Sequence, residues 1–307
     1  MGETMIAVRR LRKSYGATVA VDDIDFSVAR GEIFALLGPN GSGKTSTLEC
    51  LEGIRRPDRG ELSIRGLDPG RQQRRLRDAI GVQLQTSGLP SAMTVEEAMR
   101  FFSGYHGVAP RWDLVERVGL AEKRRVPYGK LSVGLQRRLA LAIAVAHRPG
   151  VVFLDEPTAG LDVQSRADLH ALVRELRDAG ATVLLATHDM AEAEKLADRA
   201  AILLRGRIAA MGSPRELTAA GDGRTRILVA TEAGTLLAER PSFPFAAAAA
   251  AGDGYAAYLS EKPGRSVSAL LAWLEERADP LVDLRVERPT LEERFLEITS
   301  GTKGATP

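Results

Sequence analysis

The sequence predicts an α/β fold that combines a parallel sheet, an antiparallel β subdomain, an all-helical insert and a small C-terminal α+β module. Short apolar runs, typical of strands buried in a parallel sheet, occur at residues 33–37, 80–85, 151–154 and 182–187. Strand signals disappear between residue 89 and about residue 149, where helical patterns replace them. These two observations predict a mixed core that is interrupted by a helical segment.

A change of composition at residues 220–223 predicts the boundary between two domains. We expect the first domain at residues 4–220, with its helical insert at about 86–149, and the second at residues 224–299. The chain has 307 residues, of which 44% are hydrophobic and 27% are charged, so it has ample apolar material for a core.

Charge, cysteine content and hydropathy narrow the class of protein. The net charge of +2 favours no polyanionic partner, and the basic run at residues 71–77 is interpreted as a solvated helix face rather than a nucleic-acid site. The single cysteine, Cys50, suits a reducing compartment, where we expect it to be a small packed residue. No secretory signal pattern is found, and no apolar stretch approaches the ~18 residues needed to cross a bilayer. Any membrane association is therefore expected to depend on another polypeptide.

The core is predicted to be organised around residues 33–45. The apolar run is followed by residues 38–45, which fit the pattern G-x-x-x-x-G-K-[ST], and then by a helical segment at residues 46–51. In this context the glycines let backbone N–H groups converge on an anion, Lys44 reaches the outer phosphates, and the Thr45 hydroxyl can ligate Mg²⁺. The alternative, a glycine-rich turn with a solvated lysine, does not account for the complete pattern. We therefore predict the phosphate loop (P-loop) of a nucleoside-triphosphate site.

Upstream of the phosphate loop, residues 6–8 and 24–28 show the partial alternation expected of strands. Tyr15 lies between these strands, beside the turn glycine Gly16. It is either an exposed hydrogen-bonding side chain or a flat surface for a purine base, and the residues by themselves leave both interpretations open.

Downstream of the loop, residues 61–64 predict a short strand, and the buried strand at residues 80–85 ends on the polar Gln85. A capping box at residues 94–97 opens a helix that extends to about residue 105. Two further helices are predicted at residues 112–118 and 131–147.

Two carboxylates follow the apolar strand at residues 151–154. Ligands in open α/β sheets lie beyond the carboxyl ends of the strands, so Asp155 and Glu156 are expected at the same sheet edge as the phosphate loop. Paired buried carboxylates need a nearby cation, which Mg²⁺ and Lys44 would supply. A structural capping role for the pair is the alternative.

His188 occupies the corresponding position after the strand at residues 182–187. A lone histidine is usually structural, but this one is a further polar group at the carboxyl end of a strand, so both interpretations stay open. A helix is predicted at residues 163–179, and a hairpin-like pair at residues 201–204 and 207–210.

In the second domain, strands are predicted at residues 227–230, 255–259 and 281–286, and a helix at residues 267–276. The alanine run at residues 246–251 is predicted to form a helix that Gly252 stops.

These motifs together resemble those of ATP-binding cassette (ABC) proteins. Residues 131–136, Leu-Ser-Val-Gly-Leu-Gln, are similar to the LSGGQ signature of that family and precede the Asp-Glu strand, as they do there. Gln85 matches the Q-loop, residues 160–162 match the D-loop, His188 matches the switch histidine, and Tyr15 matches the aromatic residue that stacks on adenine. The resemblance covers roughly residues 4–220, and residues 289–297 resemble the C-terminal module of ATPases that work with ABC-2-type exporters, such as daunorubicin-type drug exporters.

The resemblance implies ATP and Mg²⁺ as cofactors and assigns a role to each candidate site residue. The implied catalytic residues are Glu156, His188 and Gln85. The implied nucleotide-binding residues are Tyr15, Gly38, Pro39, Asn40, Gly41, Ser42, Gly43, Lys44, Thr45, Ser46, Ser132, Gly134 and Asp162. The implied magnesium ligands are Thr45, Gln85 and Asp155.

The resemblance also implies a mechanism and partners. In the family, two ATPase subunits close head to tail around ATP, and the region at residues 85–99 contacts a membrane-spanning partner. We therefore expect a homodimer, an ABC-2-type transmembrane permease as partner, no nucleic acid, and a peripheral location at the cytoplasmic face of the membrane.

The signature departs from the family pattern at Val133 and Leu135, and a valine where glycine is common restricts the backbone. Two other functions are compatible with a phosphate loop. A soluble cassette ATPase acting in DNA repair or on the ribosome generally has two cassettes in one chain or a long coiled-coil insert, and the sequence has neither. A phosphate-loop kinase does not account for the signature at residues 131–136.

Overall fold

The computed structural model describes residues 2–83, 88–220, 224–249, 252, 254–288 and 290–301. Contacts between residues divide the chain into two compact units, Met1–Pro214 and Arg215–Pro307.

The first unit contains, in chain order, β1 (Thr4–Tyr15), β2 (Thr18–Ala29), β3 (Ile33–Leu37), α1 (Lys44–Leu51), β4 (Arg59–Ile64), α2 (Gln73–Ala79), β5 (Ile80–Gln83), α3 (Val95–Tyr105), α4 (Trp112–Arg117), α5 (Val133–Val145), β6 (Val151–Asp155), α6 (Val163–Asp178), β7 (Thr182–Thr187), α7 (Met190–Leu196), β8 (Arg199–Leu204) and β9 (Arg207–Gly212). Helix α8 (Pro214–Ala219) begins at the division. The second unit continues with β10 (Thr225–Thr231), α9 (Thr235–Glu239), β11 (Ala246–Ala249), β12 (Ala256–Ser260), α10 (Pro263–Glu276), β13 (Leu281–Glu287) and α11 (Leu291–Gly301).

The apolar runs form the centre of a six-stranded sheet in the order β5-β6-β7-β3-β8-β9. All its neighbouring strands are parallel except β8 and β9, which form the antiparallel hairpin at one edge. In β6, Val151 and Phe153 join the core on one face, whereas Val152 and Leu154 join the core on the other. A strand that is covered on both faces favours apolar residues at successive positions, which is why the interiors of these strands are continuous apolar runs.

A second sheet of the first unit is antiparallel, in the order β2-β1-β4. Strands β1 and β2 are each 12 residues long, much longer than the predicted strands at residues 6–8 and 24–28. Register shifts in the pairing of β1 with β2, for example between Val8 and Leu11, break the period-two alternation that identifies a strand in sequence. The predicted antiparallel β subdomain is therefore present, and its strands are more irregular than the sequence pattern suggests.

Helices α3, α4 and α5 lie between β5 and β6, and among the described residues 88–149 no strand interrupts them. The predicted capping box opens α3: the Glu97 backbone N–H donates to Thr94 Oγ1 (3.2 Å), and the Thr94 backbone N–H donates to Glu97 Oε2 (2.8 Å). Helix α5 begins at Val133, with Ser132 as its N-cap. The all-helical insert of the predicted fold class is thus confirmed.

The second unit is an antiparallel sheet in the order β11-β12-β10-β13. Its core includes Ile227, Tyr258 and Leu270. The prediction of a helix in the alanine run is wrong, because residues 246–249 form the edge strand β11, paired with β12. Alanine has the highest helix propensity, but so short a helix is unstable by itself, and the free edge of β12 supplies backbone partners.

Two predictions about the class of protein can be compared with the structure. Cys50 is fully buried, and burial raises the pKa of its thiol to about 11, consistent with a packed and unreactive residue. In the part of the chain that the structure describes, none of the helices combines the length and the apolar character needed to span a membrane.

Candidate functional site

Three strand ends bring the predicted site residues together. Strand β7 lies between β6 and β3, and the strands end almost level, since Leu37 of β3 pairs with Thr187 of β7 and Asp155 of β6 pairs with Ala186. The segments that follow these strands are the phosphate loop, the turn with Glu156, and the turn with His188. All three therefore leave the sheet at the same edge, as expected for a site in an open α/β sheet.

The phosphate loop is folded tightly against its own lysine. The ammonium Nζ of Lys44 is buried and donates to the carbonyl oxygens of Gly38 (2.7 Å) and Pro39 (3.2 Å). Gly43 has a φ of +107°, and a Cβ at this position would lie 2.3 Å from the carbonyl oxygen of Ala20, so only glycine fits. The Ser42 hydroxyl is buried without a hydrogen-bond partner among the described residues. A buried unpaired hydroxyl and a buried ammonium in the same loop are consistent with a site for an anion.

Thr45 and Asp155 form the part of the site that suits a divalent cation. The Thr45 hydroxyl donates to Asp155 Oδ2 (3.1 Å), while Asp155 Oδ1 is buried without a hydrogen-bond partner in the described part of the chain. Burial, and to a smaller extent the charge of Glu156, raises the pKa of Asp155 in spite of the Thr45 hydrogen bond and the charge of Lys44. A hydroxyl and an incompletely compensated carboxylate are hard oxygen donors, so these residues fit Mg²⁺.

Glu156 contacts both the lysine of the phosphate loop and the histidine that follows β7. Its Oε1 lies 3.6 Å from Lys44 Nζ, and its Oε2 accepts a hydrogen bond from His188 Nδ1 at 2.7 Å. The side chain is buried, whereas that of His188 is half-exposed. Glu156 also has a φ of +48°, in the left-handed region that non-glycine residues rarely adopt. Strained backbone of this kind concentrates at functional sites, and nothing in the sequence indicated it.

A cleft of about 450 Å³ opens beside these residues. Its lining includes, among the predicted site residues, Tyr15, Asn40, Gly41, Gly43, Lys44, Thr45, Ser46 and Glu156. Tyr15 is 42% exposed, so its ring is accessible for stacking. The cleft is also lined by Thr18, Val19 and Ala20 at the start of β2, which the sequence analysis missed. Val19 and Val21 have the two-residue spacing of a strand, which was a signal for them, but the three-residue step from Val21 to Ile24 separates them from the alternation of the later apolar residues of β2.

Ser132, Gly134 and Asp162 do not line the cleft. Ser132 is exposed and its Oγ accepts from the Leu135 backbone N–H (3.4 Å), so it caps its own helix. Asp162 caps α6 by accepting from the backbone N–H and the hydroxyl of Ser165, and these bonds lower the pKa of Asp162. Gln85 lies outside the described residues. The cleft within one chain thus brings together only the phosphate-loop half of the predicted nucleotide site.

Glu52, at the end of α1, has a partly buried carboxyl group that was not identified from the sequence. Its Oε2 is buried and has no hydrogen-bond partner among the described residues. Burial, with smaller contributions from Asp155 and Glu49, raises the pKa of Glu52 from 4.5 to about 8. Between pH 4.5 and about 8, the folded protein therefore keeps on Glu52 a proton that the unfolded chain has already lost. The free energy of unfolding should consequently decrease as the pH rises from 4.5 to about 8.

We expect Glu52→Gln to weaken this pH dependence, because the amide has no proton to lose. The melting temperature of the wild type should fall by a few degrees more than that of the variant across the window, as measured by circular dichroism. The exposed Glu194→Gln is the matched control and should follow the wild type. Parallel wild-type and Glu52→Gln curves would contradict a raised pKa at Glu52.

Comparison with known proteins identifies the family. The ABC transporter family matches residues 21–159. The daunorubicin resistance ATP-binding protein DrrA3 of Streptomyces coeruleorubidus is 35% identical, over 97% of this chain and 97% of that protein. The chain belongs to the ATP-binding cassette (ABC) transporter family. The resemblance inferred from the motifs is thereby confirmed, and as a member of this family the chain is a nucleotide-binding ATPase.

Two other comparisons agree with the assignment to the ABC family. The Nod factor export ATP-binding protein I of Ralstonia nicotianae is 40% identical, over 69% of this chain and 68% of that protein. A solved structure of the ATP binding subunit of an ABC transporter superposes with a TM-score of 0.67 at 28% identity, covering 72% of this chain and 94% of that one. The predicted α/β fold with a phosphate-loop core is confirmed by this similarity to an ABC ATPase structure.

Proposed function

We propose that this ABC ATPase is the ATP-hydrolysing subunit of an ABC-2-type exporter and that it drives efflux through a separate membrane-spanning permease. The observation that carries the proposal is the relationship with the daunorubicin resistance protein, because it extends over 97% of both chains and so includes the C-terminal unit. On this proposal, residues 4–220 are the nucleotide-binding domain and residues 224–299 an accessory module. The subunit would act at the cytoplasmic face of the membrane.

Binding of ATP is assigned to the cleft and the phosphate loop. Tyr15 would stack on the adenine, since its ring is exposed at the cleft. The backbone N–H groups of residues 38–46 and the Lys44 ammonium would hold the phosphates. Thr45, Asp155 and Gln85 are the proposed ligands of Mg²⁺, and the distance of 3.1 Å between the first two supports this assignment. When bound, Mg²⁺ would neutralise charge that develops on the phosphate oxygens.

Glu156 is proposed as the residue that orients and deprotonates the attacking water. Its carboxylate is held from one side by the His188 imidazole and from the other by the Lys44 ammonium, so its orientation is restricted before substrate binds. Such positioning, together with electrostatics, contributes most of the catalysis of phosphoryl transfer. His188, half-exposed at the mouth of the site, would sense the γ-phosphate.

The second half of the nucleotide site is proposed to come from another copy of the chain. Ser132, Gly134 and Asp162 lie outside the cleft of their own chain, and Ser132 is exposed at the N-terminus of α5, where backbone N–H groups favour an anion. A head-to-tail dimer would bring them to the nucleotide held by the partner. Because ATP would bind the closed dimer better than the open one, it would shift the population toward closure, and hydrolysis would remove that bias.

The permease is proposed to contact residues 85–99 and the adjacent apolar groove. This groove, of about 460 Å³, lies between α2, β5, α3 and α5. Ile54, Phe101 and Tyr105 line it, and each is more than half exposed. An exposed apolar patch of this kind suits a protein contact.

Co-purification with a membrane protein encoded by a neighbouring reading frame tests the proposal. We expect the complex to hydrolyse ATP and its substrate to stimulate that hydrolysis in proteoliposomes. A double variant with Phe101→Ala and Tyr105→Ala should lose co-purification while the isolated chain keeps its basal ATPase. The exporter assignment would be contradicted if the chain had its full ATPase activity without any membrane partner and did not co-purify with a permease.

A further inference from the structure

Four exposed arginines, Arg56, Arg71, Arg74 and Arg75, surround two adjoining depressions of the first unit, and we call them the arginine surface. The depressions have volumes of about 940 and 540 Å³ and share Arg56, Gly70 and Arg71 in their linings. In the smaller depression, the arginines are the only charged residues of the lining. The lining of the larger depression also contains Arg9, Glu61 and Asp68, so the excess of positive charge is greatest around the smaller one.

The charges of the arginine surface are poorly compensated. Arg71 lies 3.6 Å from Asp68, and an exposed ion pair of this kind gains little interaction free energy. Arg56, Arg74 and Arg75 have no ion-pair partner in the described part of the chain. By contrast, their neighbours Arg55 and Arg59 are paired with carboxylates on α1 and β2. The positive potential is thus concentrated on one surface of the unit, available to an external anion.

The arginine surface continues into the apolar groove. Helix α2 buries Leu76 and Ala79 and exposes Arg74 and Arg75, while its last arginine, Arg77, lines the groove and donates to Tyr105 Oη at 3.2 Å. Basic side chains therefore lie beside exposed aromatic and aliphatic ones. This combination is typical of proteins that lie on the headgroup layer of a membrane.

We propose that the arginine surface binds the anionic phospholipid headgroups of the bilayer, and so holds the subunit against the membrane next to its permease. The proposal goes beyond ATP hydrolysis and rests only on the proposed membrane location. A bilayer suits the surface better than a nucleic acid does, since the charge is local and the net charge of the chain is only +2. Electrostatic attraction of this kind needs a small cluster of basic residues near the headgroups.

Co-sedimentation of the full chain with protein-free vesicles tests the proposal independently of transport. We expect binding to vesicles that contain phosphatidylglycerol, weak binding to pure phosphatidylcholine, and loss of binding at high salt, which screens the attraction. The double variant Arg74→Gln and Arg75→Gln should bind about 25-fold more weakly, or about fivefold for each arginine. Its ATPase rate in the absence of vesicles should equal that of the wild type.

The control is a double variant with the same change of charge at exposed positions elsewhere, Lys195→Gln with Arg215→Gln, which should keep wild-type binding. Melting curves would verify that both double variants are folded. Equal binding of the wild type to neutral and anionic vesicles would overturn the proposal. An equal loss of vesicle binding in the two double variants would overturn it as well. Displacement by millimolar glycerol phosphate would show a small-anion site instead. A further outcome would be binding that depends on the arginines but occurs only with neutral vesicles that contain the permease. That result would show that the ligand is an acidic segment of the permease rather than the lipid.

Discussion

Replacing Glu156 with glutamine should lower the ATPase turnover number by roughly 10²–10⁴-fold, the usual contribution of a general base, while leaving ATP affinity near the wild-type value. Glutamine has nearly the same shape and keeps an oxygen that can accept the His188 hydrogen bond of 2.7 Å. It cannot take a proton from water, so the loss should fall on turnover rather than on binding. Steady-state ATPase assays with a parallel binding titration measure the two quantities separately.

The same variant also tests the dimer. If hydrolysis is slow, ATP should accumulate in the closed head-to-tail dimer, which light scattering would detect as a doubling of mass on addition of ATP and Mg²⁺. The exposed Glu194→Gln is the matched control for charge and should hydrolyse ATP at the wild-type rate. Turnover close to wild type in Glu156→Gln would exclude this residue as the base, and a monomer with bound ATP would contradict the two-chain site.

Replacing Lys44 with alanine should weaken ATP binding itself by roughly 10–100-fold, the contribution expected of hydrogen bonds to a charged group. Lys44 is the cation that the loop has buried beside the proposed phosphate position, with Nζ held by the Gly38 and Pro39 carbonyl oxygens. Its loss would also leave the buried carboxylate of Glu156 without the nearby positive charge at 3.6 Å. Titration of a fluorescent ATP analogue measures the change of affinity.

The exposed Lys195→Ala removes the same charge away from the cleft and should bind the analogue as the wild type does. A melting curve of Lys44→Ala without nucleotide would separate lost binding from lost folding. Unchanged affinity in a folded Lys44→Ala protein would refute the assignment of the cleft. The two variants together distinguish a binding role for Lys44 from a catalytic role for Glu156. Lys44→Ala should lose affinity for ATP, whereas Glu156→Gln should keep that affinity and lose turnover.

Most of the six-stranded sheet could be predicted because its central strands are buried on both faces. Burial on both faces makes the interiors of β3, β6 and β7 apolar, while the glycine-rich loop after β3, Asp155 at the end of β6 and Thr187 at the end of β7 mark where they stop, so both the strands and their ends are visible in the sequence. The hairpin of β1 and β2 was harder to predict, because shifts of register between Val8 and Leu11 and between Leu11 and Lys13 interrupt its alternation. Thr18, Val19 and Ala20, which line the cleft, were missed for that reason.

The alanine run at residues 246–249 was predicted wrongly for a different reason. Local propensity favoured a helix, but the edge of β12 offered four backbone pairings, and the chain formed β11 instead. Partners far away in the chain are invisible to a local pattern, so propensity was overridden there by tertiary context.

The sequence by itself determined which chemical groups follow which strands, because a motif such as residues 38–45 is continuous in the chain and requires only one local backbone conformation. Tertiary structure alone decided that β7 lies between β6 and β3, and that Glu156 consequently touches both His188 and Lys44. It also placed Glu156 at a φ of +48° and left Ser132 outside the cleft of its own chain. These features depend on the order of strands in the sheet, which is set by the packing of residues far apart in the chain.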